Sequence, residues 1–133
     1  MKFLVRADAT YHDEVLSYKL HDDGTASVTG RYDSSITVIN IPEKIHPNED
    51  TSGNTEYNVT EISSNAFLSN NITEIHGYSI KTIGYNGGNS FKSCQNLSTV
   101  DFPNATYIGT NIFDSCSRLQ NISLPNAAYI GNS

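Results

Sequence analysis

An internal repeat restricts this chain more than any other feature. Phe91, Cys94, Leu97, Val100, Phe102 and Pro103 match Phe113, Cys116, Leu119, Ile122, Leu124 and Pro125 at a constant offset of 22 residues. The match continues from Asn104-Ala105-Thr106-Tyr107-Ile108-Gly109 to Asn126-Ala127-Ala128-Tyr129-Ile130-Gly131. Self-similarity at such a period describes a coil repeated along an axis. Each coil has too little apolar surface to fold alone and is stable only when stacked on its neighbours. Degraded copies come first: Ile36–Pro42 resembles the strand ending at Pro103, and Ile72–Ile75 resembles Leu97–Val100.

The pattern inside a coil says how it runs. Val100 and Phe102 alternate with Thr99 and Asp101, the period of a half-buried strand. Pro103 cannot donate to a ladder and ends that strand. Ile108-Gly109 is expected to be a second inward anchor and a turn. The stretch from Thr110 to Cys116 then crosses back with Phe113 inward, as turns or one to two helical turns. Composition agrees, because Asn, Ser, Thr and Gly are abundant and Trp is absent, which favours turns and short strands over helices. The expected fold class is a repeat solenoid, mostly β with short turns or helical segments.

The motif Ile-Gly-x-x-x-Phe-x-x-Cys-x-x-Leu-x-x-Ile-x-Leu-Pro is complete at Ile108, Gly109, Phe113, Cys116, Leu119, Ile122, Leu124 and Pro125. It resembles the BspA-like (Treponema-type) leucine-rich repeat. The resemblance covers about residues 36–133 and is loose over 1–35. It implies a leucine-rich-repeat solenoid, a bacterial cell-surface or extracellular location, and adhesion through a protein or glycan ligand. It brings no catalytic motif and no cofactor. The chain departs from the family in two ways. Phe3-Leu4-Val5 followed by Arg6 is too short for the apolar region of a secretory signal, and the sequence stops in mid-repeat at Ser133. A structural assembly subunit, in a virion or surface layer, is therefore the alternative. It would stack through an open C-terminal coil, by self-association or continuation.

Two regions are expected. Residues 1–35 form an N-terminal β-hairpin cap, with strands at Phe3–Val5, Val15–Leu20 and Thr25–Thr29 and a turn at His21-Asp22-Asp23-Gly24. Residues 36–133 form the solenoid, with polar insertions at 46–54 and 85–89. Asp8, His12, Asp13 and Glu14 lack the set spacing of a calcium loop and read as a solvated loop.

Charge and motifs narrow the function. The net charge is −6, and the eight Lys and Arg residues do not cluster, whereas nucleic-acid binding needs a concentrated basic patch. No apolar run approaches the ~20 residues that span a bilayer, so no membrane insertion is expected. The histidines His12, His21, His46 and His76 share no metal-ligand spacing, and no nucleophile elbow or Ser/His/Asp order is present. A hydrolase would need such a constellation, so an enzyme is not expected. Cys94 and Cys116 occupy equivalent positions on adjacent coils and read as a column of small buried thiols. A zinc site would need two further ligands. The candidate binding face lies on the outward strand residues Glu74, His76, Thr99, Asp101, Asn121 and Ser123, with Tyr107 and Tyr129 as a second outward column.

Overall fold

A computed structural model describes residues 9–47 and 56–131. The expected strand Phe3–Val5, Asp8 and residues 48–54 of the first insertion lie outside the described residues. The described residues are built from strands and turns, with none in a helix.

The N-terminal part is antiparallel. Strands β1 (Ala9–His12), β2 (Leu16–Leu20) and β3 (Thr25–Arg31) pair in sequence order. Asp13 fixes the first turn. Its Oδ1 accepts the N–H groups of Val15 and Leu16 at 2.8 and 2.7 Å, and its Oδ2 accepts the Tyr18 hydroxyl at 2.7 Å. The carboxylate is thus consumed by the turn, while the His12 ring stacks on Tyr32 at 3.7 Å. The second turn falls at His21–Gly24, where Gly24 has φ +86° and the His21 N–H donates to Thr25 O at 2.9 Å. Leu16, Tyr18, Leu20, Ala26 and Val28 are buried.

From here the chain coils. Strands β4 (Val38–Asn40), β7 (Glu74–His76), β9 (Thr99–Asp101) and β11 (Asn121–Ser123) form one parallel sheet. Their central residues Ile39, Ile75 and Val100 point into the core. Strands β6 (Tyr57–Ile62), β8 (Thr82–Ile83), β10 (Tyr107–Ile108) and β12 (Tyr129–Ile130) form a second parallel run. Strand β5 (Lys44–Ile45) pairs with β6 on the same sheet. Strand β3 pairs in parallel with β6, so the N-terminal strands and this second run share one sheet. The Tyr-Ile-Gly segments, expected as an anchor and a turn, are therefore two-residue strands. Their ladder is too short to show alternation in sequence.

The crossing segments form a third hydrogen-bonded column, and they are turns rather than helical turns. Asn65, Asn89 and Asn111 lie two residues before Phe67, Phe91 and Phe113, and Ser69, Ser93 and Ser115 lie two residues after. All six have positive φ, between 55° and 62°. This alternation aims every second N–H at the next coil. Asn65, Phe67 and Ser69 donate to the carbonyls of Gly88, Ser90 and Lys92, and Asn89, Phe91 and Ser93 donate to those of Thr110, Ile112 and Asp114. A helix would spend these donors within its own segment. Asn tolerates the left-handed region better than most residues, which fits its place in all three crossings. Beneath the crossings the three phenylalanine rings stack, Phe67 on Phe91 at 5.4 Å and Phe91 on Phe113 at 5.6 Å.

The coils pack so closely that one corner admits only glycine. A Cβ on Gly109 would lie 2.4 Å from Gly84 O.

Candidate functional site

Strand register builds a two-row array on the four-stranded parallel sheet. Val38, Glu74, Thr99 and Asn121 form one row, and Asn40, His76, Asp101 and Ser123 form the other. All eight alternate with the inward central residues, so all point away from the core. Six of them are the strand residues expected from sequence. Val38 and Asn40 were missed, although the likeness of Ile36–Pro42 to the later strands carried the signal. The array opens into a hollow of about 510 Å³, lined by His76, Thr99, Asp101, Asn121 and Ser123, by the apolar Val100 and Ile122 between them, and by Gln120, which precedes its strand.

One side chain organises this face. His76 Nε2 lies 2.6 Å from Glu74 Oε2 on its own strand, and Nδ1 lies 3.1 Å from Asp101 Oδ2 on the next coil. Hydrogen bonding to Glu74 and then to Asp101 holds the ring's pKa above the usual imidazole value, against the opposing effect of partial burial. Each ring nitrogen faces its own carboxylate, on opposite sides of the ring. The three groups therefore cannot converge on one ion, and among the described residues no set of three or more His, Cys, Asp or Glu is arranged to hold a metal.

Tyr107 and Tyr129 lie elsewhere, on β10 and β12 of the other sheet. Their rings stack at 4.6 Å, and Tyr85 meets Tyr107 edge-on at 5.4 Å. Tyr107 is half-buried and Tyr129 exposed. Only Tyr107 and Tyr129 share ring faces, one face of each turned to the other. Tyr78 is separate again, beside a shallow groove with Lys44, Asn58, Lys81 and Asn104. The eight expected residues thus occupy two surfaces.

The cysteines are spent on the coil-to-coil contact. Cys94 Sγ donates to Phe67 O at 2.9 Å and Cys116 Sγ to Phe91 O at 3.0 Å. Both thiols are free. Burial pushes the Cys94 thiol up to about 11, the opposite of the lowered value that a reactive cysteine needs.

The family profile described as BspA type leucine-rich repeat region, in 6 copies, matches residues 47–133. The chain belongs to the BspA-type leucine-rich-repeat family. Solved structures of leucine-rich repeat proteins extend the likeness through the N-terminal strands. A leucine-rich repeat protein from Bacteroides capillosus is 26% identical, with a TM-score of 0.68 over 93% of this chain and 98% of its own. A leucine rich cell surface protein from Faecalibacterium prausnitzii has 21% identity and a TM-score of 0.72, covering 97% of this chain but 34% of its own. The T. pallidum leucine rich repeat protein has 16% identity and a TM-score of 0.70, covering 92% of this chain and 64% of its own. These last two show a shared fold, and the chain spans about a third and under two thirds of their lengths. No match was found among curated proteins.

Proposed function

We propose that the outward face of β4, β7, β9 and β11 is a non-catalytic binding surface of a bacterial cell-surface protein, taking a protein or glycan partner in adhesion. The observation that carries this reading is the register. It sets two rows of side chains, polar at every position but Val38, over a hollow, on strands bonded to their neighbours. A rigid array of hydrogen-bonding groups suits recognition, because little ordering is left to do on binding. Membership of the repeat family supports an interaction role, and the name of the Faecalibacterium neighbour supports the surface location. Residues 1–35 are read as the cap of the first coil, and over the described residues this reading is supported by the pairing of β3 with β6 and the burial of Leu16, Tyr18, Leu20, Ala26 and Val28. Tyr107 and Tyr129 form a second, smaller contact surface.

The test is a binding screen of the intact chain against extracellular-matrix proteins and a glycan array, repeated with Asn121→Arg/Ser123→Arg. Both positions are exposed, so folding is expected to be unchanged by circular dichroism. Affinity for any ligand found is expected to fall at least about tenfold, the loss of roughly 1.4 kcal/mol typical of a disturbed interface centre. Unchanged affinity would remove this face from the site.

A second reading, assembly, rests on the last coil. Val100 and Ile108 are 1% and 2% exposed, whereas their equivalents Ile122 and Ile130 are 52% and 66% exposed. Among the described residues the N–H groups of Asn111, Phe113 and Ser115 also have no acceptor, although the two preceding rows are filled. The occupant that fits is another coil of the same pattern, from continuation of the chain or from a second copy, and the second copy is the case tested. Sedimentation at rising concentration should show a mass that doubles in the wild type and stays single in Ile122→Glu/Ile130→Lys. A wild type that remains monomeric would end this reading.

A further inference from the structure

We propose that His76 is a proton switch on the binding face: protonated, its ring ties Glu74 of one coil to Asp101 of the next, and deprotonated, it releases Asp101 into the hollow. The proposal rests on the reading of this sheet as a binding surface and assigns its regulation.

The geometry carries the argument. A carboxylate only accepts hydrogen bonds, and a neutral imidazole has one N–H and one lone pair. Contacts of 2.6 and 3.1 Å to two separate carboxylates therefore require a ring that donates from both nitrogens, which is the imidazolium. Loss of one proton to solvent turns one contact into a lone pair facing a negative oxygen. The shorter bond, to Glu74 on the same strand, keeps its N–H on Nε2. The longer one, to Asp101, is the one that breaks. The flanking strands offer no other charge to take over: His76 is registered with Asn40 on β4 and with Asp101 on β9, and Ser123 on β11 follows Asp101.

The consequence is local to the site. The cluster Glu74, His76 and Asp101 gains one negative charge on deprotonation. Asp101 becomes a free acceptor beside Thr99, Gln120, Asn121 and Ser123, which share its hollow. The raised pKa of His76 places this change above the ordinary imidazole value of about 6.5.

The test is an NMR titration of the intact, isotope-labelled chain, following the His76 ring and the Asp101 carboxyl carbon from about pH 5, where carboxylates are ionised, upward. The expected result is a His76 midpoint above that of an unstructured histidine. Asp101 should move in the same step, and the ring should end as the Nε2–H tautomer. Glu74→Gln should lower the midpoint more than Asp101→Asn, and His76→Gln should abolish the Asp101 step. A His76 midpoint at or below the ordinary value, or an Asp101 signal that stays still through the step, would overturn the proposal. This readout needs no ligand, so it fails independently of the binding reading. Asn121→Ala/Ser123→Ala, which puts no new charge beside Asp101, should weaken binding yet leave the His76 step in place.

Stability should follow the same proton. A group whose pKa is raised by folding stabilises fully below its unfolded value and loses that contribution as pH rises through its folded value. The stability difference between wild type and His76→Gln should therefore be largest below about pH 6.5 and decline through the His76 midpoint.

Discussion

Phe91→Ala is expected to destabilise the chain by about 4 kcal/mol, the middle of the range for truncating a buried aromatic. Phe91 is fully buried and is the shared member of the ring column, touching Phe67, Phe113 and also Phe102 at 6.1 Å. Its removal opens a cavity between two coils rather than inside one. Its neighbours cannot close in, because the crossing above is pinned by three hydrogen bonds to the next coil, from Asn89, Phe91 and Ser93. Single domains are stable by only ~5–15 kcal/mol, so the loss should bring the urea midpoint down sharply. Phe113→Ala, at a half-buried position, should cost about half as much by the same principle. Equal losses at the two positions would mean that the column does not carry the load described.

Gly88→Ala is the second large effect, expected at about 3 kcal/mol. Two costs act at one residue. Its φ of +70° is a left-handed conformation that costs an L side chain ~1–2 kcal/mol. A Cβ there would also stand 2.0 Å from Thr110 O, and overpacking of this kind adds ~1–3 kcal/mol. Thr110 O cannot retreat freely, since it accepts the Asn89 N–H at 2.9 Å. Gly88 also passes the link backward, its own carbonyl accepting from Asn65 at 3.1 Å. The control is Gly87→Ala, at an exposed position where the close neighbour is the Ser64 side chain. The Ser64 Oγ can rotate away at the loss of its 3.1 Å bond to Tyr85 O, and its Cβ at 2.9 Å must shift slightly, so with no positive φ to add Gly87→Ala should cost clearly less than Gly88→Ala. Thermal or urea unfolding of the three proteins decides the matter, and a Gly88→Ala as stable as Gly87→Ala would refute the argument.

These sites also show what was legible beforehand. The 22-residue offset placed β9 and β11 in register, and with them Thr99, Asp101, Asn121 and Ser123, because a repeat translates directly into strand pairing. The second strand column was not legible as strands. A two-residue element such as Tyr107–Ile108 cannot display a period of two, and its identity lies wholly in its partners. The crossing was only half legible. Phe113 was rightly placed inward, but Asn and Ser at fixed distances from each Phe were not connected to positive φ, which is a backbone property with no hydrophobic pattern. On the face, the repeat could align Glu74 with Thr99 and His76 with Asp101. The contact of one imidazole with carboxylates on both sides depends on side-chain reach, which register alone does not set.

Three ladders, not one, join each regular coil to the next: the strand pair on one sheet, the strand pair on the other, and the crossing between them. A stack tied along three lines resists both shear and twist, as a single ladder would not. The outward array then behaves as a ruler with fixed divisions of about 4.8 Å per coil. Lengthening or shortening the stack by one coil changes the span of the face by one division and leaves the spacing between the others untouched.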